Sequence, residues 1–319
     1  MSVVVRVAEI TEETPSIRTL RLVRLDGNSF TPGVYKAGAH VDVTGPTGIV
    51  RQYSLCSPPG DPSSLLIAVK REPESRGGSV ALHQLTVGDH LKLSKPRNLL
   101  QLAEDGDRHV LVAGGIGITP LLSMAYELYS WGAEFELHYF ARSRDEAAFV
   151  DLLENRVEFP DRVHWHFGVA PADLPAVLQG LGAALTSDGH VYTCGPAPFM
   201  AQVTTALAPV VGEEHVHVEH FVPVEVDTRG DEPFTVELDT GESFEVPADR
   251  SILSVLEENG IEVFKSCEEG ICGSCVSGVL QGTPDHRDNC LSAADKAAGK
   301  EMALCVSRAL TDRLVIELY

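Results

Sequence analysis

The sequence predicts a multidomain chain of mixed α/β and β class: an antiparallel β-barrel, a parallel α/β domain and a small β-grasp-like C-terminal domain. Three observations carry this. Residues 1–102 hold short runs rich in β-branched residues, punctuated by glycine and proline. Residues 105–222 alternate strand-like and helix-like patterns at the spacing of parallel sheets covered on both faces. Residues 223–233 are charged and bracketed by prolines, so they read as a linker ahead of a compact final block.

In the first block, strands are expected at 3–10, 17–25, 40–43, 52–55 and 65–70, with a helix at 80–85. In the second, strands at 109–113, 135–140, 163–167 and 190–193 alternate with helices at 120–131, 147–154, 174–181 and 198–208. In the last, residues 234–238 and 243–246 alternate, a helix follows at 252–258, then comes a cysteine-rich loop, and a strand at 314–318 ends the chain. No internal repeat or low-complexity tract interrupts these patterns.

Hydrophobic residues make up 44% of the 319 and charged residues 22%, an ordinary globular balance. The formal net charge of −21 argues against nucleic acid or an anionic membrane as partner and suits a basic docking face. No segment approaches the roughly 18 apolar residues of a membrane span, and the N-terminus lacks the apolar core of a signal peptide. A soluble, cytoplasmic protein is expected. The seven cysteines agree: the number is odd and three fall within nine residues, a pattern of metal ligation rather than disulfides.

The cysteines carry the most specific signal. Four residues separate Cys267 from Cys272 and two separate Cys272 from Cys275, with Cys305 further on. This is the spacing of plant-type [2Fe–2S] ferredoxins. Two irons and two sulfides need four converging thiolates and backbone N–H groups aimed at sulfur, and Gly270, Gly273 and Ser274 are small enough to allow that approach. Zinc ribbons favour two short cysteine pairs instead. Cys290 competes for the fourth position, but Cys305 lies beside the packed terminal strand and is preferred, leaving Cys290 a bystander.

Two further motifs concern organic cofactors. Arg51-Gln52-Tyr53-Ser54 matches the R-x-Y-S flavin motif of the ferredoxin-reductase superfamily: a cation for the phosphate, a ring to cover the isoalloxazine and a hydroxyl near its reactive nitrogen. Arg76-Gly77-Gly78-Ser79 reads as a phosphate cradle at a helix start, with Ser79 as cap. After the strand at 109–113, Gly114-Gly115-Ile116-Gly117-Ile118-Thr119-Pro120 permits close approach of a dinucleotide to backbone, with Thr119 as N-cap and Pro120 opening the helix. Cys194-Gly195-Pro196 supplies a second approach from another strand end. His215, His217 and His220 read as satisfied or solvated strand histidines rather than a metal site.

With these motifs in this order, the whole chain resembles the phthalate dioxygenase reductase-type family. The resemblance implies a division into an FMN-binding barrel (1–102), an NAD-binding α/β domain (103–226) and a plant-type ferredoxin domain (227–319). It implies FMN, with Arg51 toward the phosphate, Tyr53 on the ring, Ser54 near N5, and Ala68, Val69 and Lys70 lining the flavin. Thr119 would sit where flavin and nicotinamide meet, and Phe221 resembles the family's aromatic beside the flavin. Arg142 and Arg144, after the strand at 135–140, would favour the 2′-phosphate of NADPH, but the family prefers NADH and NADH is expected. Electrons would pass from NADH through FMN and the cluster to a terminal oxygenase, Rieske-type or, alternatively, a cytochrome P450. A redox-sensing nicotinamide-binding protein is the reading from a different class. No catalytic side-chain constellation is expected, because the cofactors carry the chemistry.

Overall fold

The computed structural model describes residues 2–72 and 77–318, in two compact units, Met1–Glu219 and His220–Tyr319. The first unit opens with six antiparallel strands: β1 (Val3–Thr14), β2 (Ile17–Arg24), β3 (His40–Thr44), β4 (Val50–Ser54), β5 (Leu65–Lys70) and β6 (His90–Leu93). Their order is β4-β3-β6-β1-β2-β5, and a bridge between Leu55 and Ile67 joins the two edges into a barrel. Alternation explains its interior: Val5 and Val7, Leu20 and Leu22, Val41 and Val43, Leu65, Ile67 and Val69 all turn inward and are buried.

β1 runs four residues beyond the expected Ile10, because Glu12 and Thr14 still pair with Arg18 and Ile17 across the hairpin. β6 was not expected. It is only four residues of simple alternation, His-Leu-Lys-Leu, and its pairing with β1 and β3 defines it. A short helix, α1 (Gly78–Leu82), lies between β5 and β6 and starts two residues earlier than expected.

The same unit continues with β7 (His109–Gly114), α2 (Ile118–Trp131), β8 (Phe135–Ala141), α3 (Val150–Asn155), β9 (Val163–Phe167), α4 (Leu174–Gly182), β10 (His190–Cys194), α5 (Ala197–Val211) and β11 (Val216–Glu219). The strands are parallel in the order β11-β10-β7-β8-β9. Leu121, Leu122, Leu128 and Leu153 of α2 and α3 cover one face, while Leu174, Leu178, Val203 and Leu207 of α4 and α5 cover the other. α3 begins three residues later than expected. Phe149 takes a left-handed φ of 63°, and its N–H donates to Glu13 Oε2 at 2.8 Å instead of entering a helix. Barrel and sheet share one apolar cluster, to which Ile17, Ala37, Cys56, Ala68 and Leu100 contribute from the barrel side.

The second unit holds β12 (Phe234–Leu238), β13 (Ser243–Val246), α6 (Ile252–Glu258), β14 (Val276–Gln281), β15 (Pro284–Asp285), α7 (Ala293–Ala298), β16 (Glu301–Ala303), β17 (Arg308–Ala309) and β18 (Arg313–Glu317). β12 and β18 pair in parallel at the centre of the order β13-β12-β18-β14-β16, as a β-grasp requires, and α6 buries Ile252, Leu253, Val255 and Leu256 in the core. Ser251 caps α6 by accepting from Ser254 N–H at 3.1 Å.

Residues 223–230 have no regular structure, as a linker should, but Asp231 is fixed. Its carboxylate takes two hydrogen bonds from Arg287 (2.6 and 2.8 Å) and lies 3.5 Å from Arg308 Nε. Arg308 in turn donates to the carbonyls of Glu232, Pro247 and Arg250, so this clasp ties the end of the linker to three segments of the β-grasp. The Arg287 hydrogen bonds hold the Asp231 carboxyl below its usual pKa. Its stabilisation is therefore complete above the unfolded carboxyl pKa and lost as pH falls through the lower folded one. Asp231→Ala should cost about 2 kcal/mol, between an exposed and a buried pair. A lowered midpoint for thermal loss of visible cluster absorbance at pH 7 checks this.

Candidate functional site

The expected flavin residues gather on the barrel. Arg51, Tyr53 and Ser54 all lie on β4, and a Cβ built on Gly78 would come 3.0 Å from Arg51 Cγ, so the R-x-Y-S strand and the glycine pair adjoin. Gly77 is the α1 N-cap with φ 94°, a conformation that glycine adopts without strain. Ser79 does not cap this helix: its hydroxyl accepts the Glu72 N–H at 3.1 Å, drawing the end of β5 onto α1. Arg76 lies outside the described residues. Arg51 donates to its neighbour's carbonyl, Val50 O, at 2.7 Å. Tyr53 is largely desolvated, which pushes its phenol up to about 12. On β5, Val69 points into the barrel core, so only its backbone is available to a ligand there, while Ala68 packs toward the α/β layer and the exposed Lys70 pairs with Glu72 at 2.6 Å.

The glycine turn has a different physical logic from the expected one. A Cβ on Gly117 would lie 2.1 Å from Cys194 O, and one on Gly195 would lie 3.0 Å from Gly114 Cα. A Cβ on Gly114 would meet Phe199 at 2.9 Å and Pro196 Cδ at 3.1 Å. These three glycines let the loops after β7 and β10 pack against each other. Gly115 alone of the four faces open space, with φ 56°. β7 and β10 are neighbours, and the connections leave them in opposite directions, so these loops form the switch point at which open α/β sheets bind ligands.

Thr119 is not an N-cap. α2 starts at Ile118 after a short 3₁₀ turn, Gly115–Gly117, and buried Thr119 donates from Oγ1 to Ile116 O at 3.0 Å. Pro120 is accordingly the third helical residue, where its missing N–H is still one of the helix's unpaired ones. Pro196 precedes α5 as its N-cap. Cys194 is fully buried, and burial drives its thiol well above the usual value. After β8, Arg144 is held by Glu154 through two hydrogen bonds of 2.6 and 2.5 Å, whereas the Arg142 side chain is 89% exposed and only 3.9 Å from Glu146. Phe221, 38% exposed, belongs to the second unit.

Glu219 escaped the sequence reading. It ends β11 in register with Cys194, and burial pushes its carboxyl up to about 8. His40 Nδ1 is 3.9 Å from its Oε1, and burial lowers that imidazole to about 4. Both groups are thus neutral at pH 7, and Glu219 Oε2 and His40 Nε2 have no protein partner among the described residues. His215 and His217 are satisfied as expected, by Ser187 O at 3.0 Å and His190 Nδ1 at 3.1 Å.

The four expected ligand cysteines converge in the second unit, and all are buried. The Cys267 and Cys272 thiols are within hydrogen-bonding reach of each other, as are those of Cys275 and Cys305. The Glu269 N–H donates to Cys267 Sγ at 3.3 Å, and the amides of Ile271 and Gly270 face Cys267 and Cys305. The Cys267 thiol beside it holds Cys272 below the usual thiol value against the cost of burial, with the Ser274 hydroxyl at 3.2 Å. Thiols in close pairs, ringed by amide donors, are a donor set that fits an anionic iron–sulfur cluster. Gly270 holds φ 70° and leaves no room for a Cβ, which would meet Val306 at 2.7 Å and Asp288 Cα at 3.1 Å. Asp288 closes the loop: its carboxylate accepts from Leu291 N–H at 2.9 Å and Cys290 N–H at 3.2 Å, and Asn289 N–H donates to Gly270 O at 2.8 Å. The Cys290 thiol is occupied by Asp288 Oδ2 at 3.4 Å, and burial raises its pKa.

Comparison with known proteins agrees with this geometry. Residues 236–310 match the 2Fe-2S iron-sulfur cluster binding domain. The chain is 44% identical over 311 residues to a vanillate O-demethylase oxidoreductase of Pseudomonas putida, covering 96% of this chain and 97% of that one. The phthalate dioxygenase reductase structure, described as a modular structure for electron transfer from pyridine nucleotides to [2Fe-2S], superposes with TM-score 0.69 at 36% identity, covering 99% of this chain and 98% of that one. An intact type IV self-sufficient cytochrome P450 monooxygenase superposes with TM-score 0.88 at 37% identity; the match covers 99% of this chain but only 41% of that longer protein.

Two outcomes are expected. Cys305→Ser should abolish or severely destabilise the cluster with flavin retained, and Cys290→Ser should leave iron content unchanged; iron and flavin assays on both variants check the ligand set. For Glu219, ionisation of the unfolded chain above about 4.5 while the folded carboxyl stays protonated to about 8 removes stability as pH rises through that window. Glu219→Gln should therefore gain thermal stability over the wild type, by an amount that grows from pH 6 to pH 8.5 and reaches roughly 5 °C.

Proposed function

Since the chain belongs to the phthalate dioxygenase reductase-type family of oxygenase reductases, we propose that it takes a hydride from NADH onto FMN and forwards the electrons singly, through a [2Fe–2S] cluster, to a Rieske-type terminal oxygenase. The observation that carries this is the pairing, on one chain, of a nucleotide-type switch point with four converging thiols ringed by amide donors. The domain division is 1–102 for flavin, 103–226 for nicotinamide and 227–319 for the cluster. A cytochrome P450 is the second reading of the partner, favoured by the superposition on a self-sufficient P450 monooxygenase.

FMN, when bound, supplies the conversion between a hydride's electron pair and single electrons. The residues hold it in place. Arg51 and the amides of Gly77, Gly78 and Ser79 would hold the phosphate, Tyr53 would cover the ring with Ser54 toward N5, and the Ala68, Val69 and Lys70 backbone would line one edge. Gly114, Gly115, Gly117, Cys194, Gly195 and Pro196 would shape the nicotinamide site, with Thr119 where flavin and nicotinamide meet. Glu219, whose carboxyl burial raises and whose Oε2 has no protein partner among the described residues, would offer the bound cofactors a neutral hydrogen-bonding group. Cys267, Cys272, Cys275 and Cys305 bind the cluster.

Anaerobic addition of NADH should bleach the flavin and then produce a reduced [2Fe–2S] signal by electron paramagnetic resonance; loss of flavin absorbance with an EPR-silent cluster would refute the electron path. Flavin released by heat should be FMN. Arg144 is held by Glu154, whereas Arg142 is exposed and only loosely paired, 3.9 Å from Glu146. NADH should exceed NADPH in kcat/KM, and Arg142→Ala should lower any residual NADPH activity by about tenfold, the worth of a charged hydrogen bond, while leaving NADH within twofold. Steady-state kinetics with both cofactors reads this out.

Residues 228–319 hold 18 acidic and 8 basic side chains, a net of −10 out of −21, which suits docking on a basic oxygenase surface. Glu268 and Glu269 lie in the cluster loop, and Lys265 compensates part of that charge, 3.0 Å from Glu268 and 2.8 Å from Glu257. The double variant Glu268→Gln with Glu269→Gln should slow reduction of the oxygenase roughly threefold at low ionic strength and flatten its salt dependence, with flavin reduction by NADH unaltered. Stopped-flow reduction of the partner across a salt series tests it.

A further inference from the structure

Parallel pairing of β8 with β9 places His138 beside His164, and Glu136 precedes His138 by two residues on the same face of β8. One ligand atom from each of Glu136, His138 and His164 lies within 4.8 Å of the others. His138 Nε2 is 3.1 Å from Glu136 Oε2, and His164 Nε2 is 3.9 Å from Glu136 Oε1. β9 is the edge strand of the sheet and the His164 side chain is 42% exposed, so the group opens to solvent on one side. None of these residues belongs to the flavin, nicotinamide or cluster sites.

We propose that Glu136, His138 and His164 form a binding site for a single divalent transition-metal ion of the zinc class on the outer edge of the parallel sheet. Two imidazoles and one carboxylate are a zinc donor set, and open positions would be filled by water. Zinc–ligand bonds of about 2.0–2.2 Å call for donor atoms roughly 3.3 Å apart, so only small side-chain movements separate the observed spacing from ligation.

The proton arrangement supports this. The His138 ring is buried, and each of its two nitrogens faces a polar partner. Nδ1 is 3.1 Å from His166 Nε2, and Nε2 faces the Glu136 carboxylate. In the metal-free protein Nε2–H donates to Glu136 and Nδ1 accepts from His166; zinc takes the place of the Nε2 proton, which exchanges with solvent as the tautomers reverse and Nδ1–H donates to His166. His166 is then the outer partner that orients a ligating imidazole. Arg108, 2.5 Å from Glu136 Oε1, is the competing cation, and it must yield part of that contact when the metal enters.

The test uses the holoprotein without a histidine tag, dialysed with zinc chloride and then against metal-free buffer. Elemental analysis should find one zinc per chain beside unchanged cluster iron, and zinc should raise the thermal midpoint. His164→Ala, at a half-exposed position, should bind zinc at least tenfold more weakly in competition with a chromogenic chelator and lose the thermal shift; His164→Gln repeats the test should the alanine variant misfold, with flavin and cluster absorbance reporting the fold. Glu136→Gln should weaken binding in the same direction. His215→Ala, in the separate histidine group around His190, should bind as the wild type does. No retained zinc, retention unaffected by His164 substitution, loss in His215→Ala instead, or zinc uptake matched by loss of iron would each overturn the site.

Discussion

The contact between the loops that follow β7 and β10 governs the first unit. With a Cβ at position 117 only 2.1 Å from the Cys194 carbonyl, any side chain there would force the two strand ends apart. Three features of this end of the sheet depend on their staying together: the start of α2 behind Gly117, the start of α5 behind Pro196, and the burial of Cys194 at the end of β10. The short 3₁₀ turn at Gly115–Gly117 is the geometric result, because it brings the chain off β7 sharply enough to pass under the neighbouring loop. The site is thus defined first by backbone packing, and its side-chain chemistry is laid over that frame.

The second unit answers a different constraint, the convergence of four thiols. The loop from Cys267 to Cys275 contains three left-handed residues, Glu268, Gly270 and Gly273. Such a path turns successive N–H groups inward, which is how it presents amides to sulfur. It is costly for a loop to hold this shape alone. Asp288 holds it from outside through Leu291, Cys290 and Ser307, and Lys296 donates to the Asp288 carbonyl. The same carboxylate occupies the Cys290 thiol, so the fifth cysteine of the unit is part of the scaffold.

Much of this was legible in the sequence because it rests on short-range pattern. Phe234–Leu238, Ser243–Val246 and Ile252–Glu258 fall where alternation and helical spacing put them. The convergence of Cys267, Cys272, Cys275 and Cys305 was legible because cluster chemistry dictates spacing. What was not legible depends on partners distant in the chain. β6 exists through β1 and β3, and the end of β1 through its pairing with β2. Ser79 and Thr119 looked like caps, yet each hydroxyl is used elsewhere, by Glu72 N–H and Ile116 O. The neutrality of Glu219 is a product of burial by elements that include β3 and β10, and no local pattern announces it. Glycines at 114, 117 and 195 were recognised as important for a reason that the structure revises, from room for a ligand to room for another loop.

The hold of Glu154 on Arg144 bears on how cofactor preference evolves. In the nucleotide site proposed above, the loop after β8 already carries a guanidinium, Arg144, and what restrains it is a carboxylate on α3, ten positions further on and outside the loop itself. The frozen glycine turn leaves little latitude for change at the crevice. The accessible route is instead a loss: replacing one acid on a helix surface would release an arginine that needs no further mutation to meet a phosphate. On that proposed site, selection acting on helix residue 154 would tune nucleotide choice through Arg144, from outside the loop that carries it.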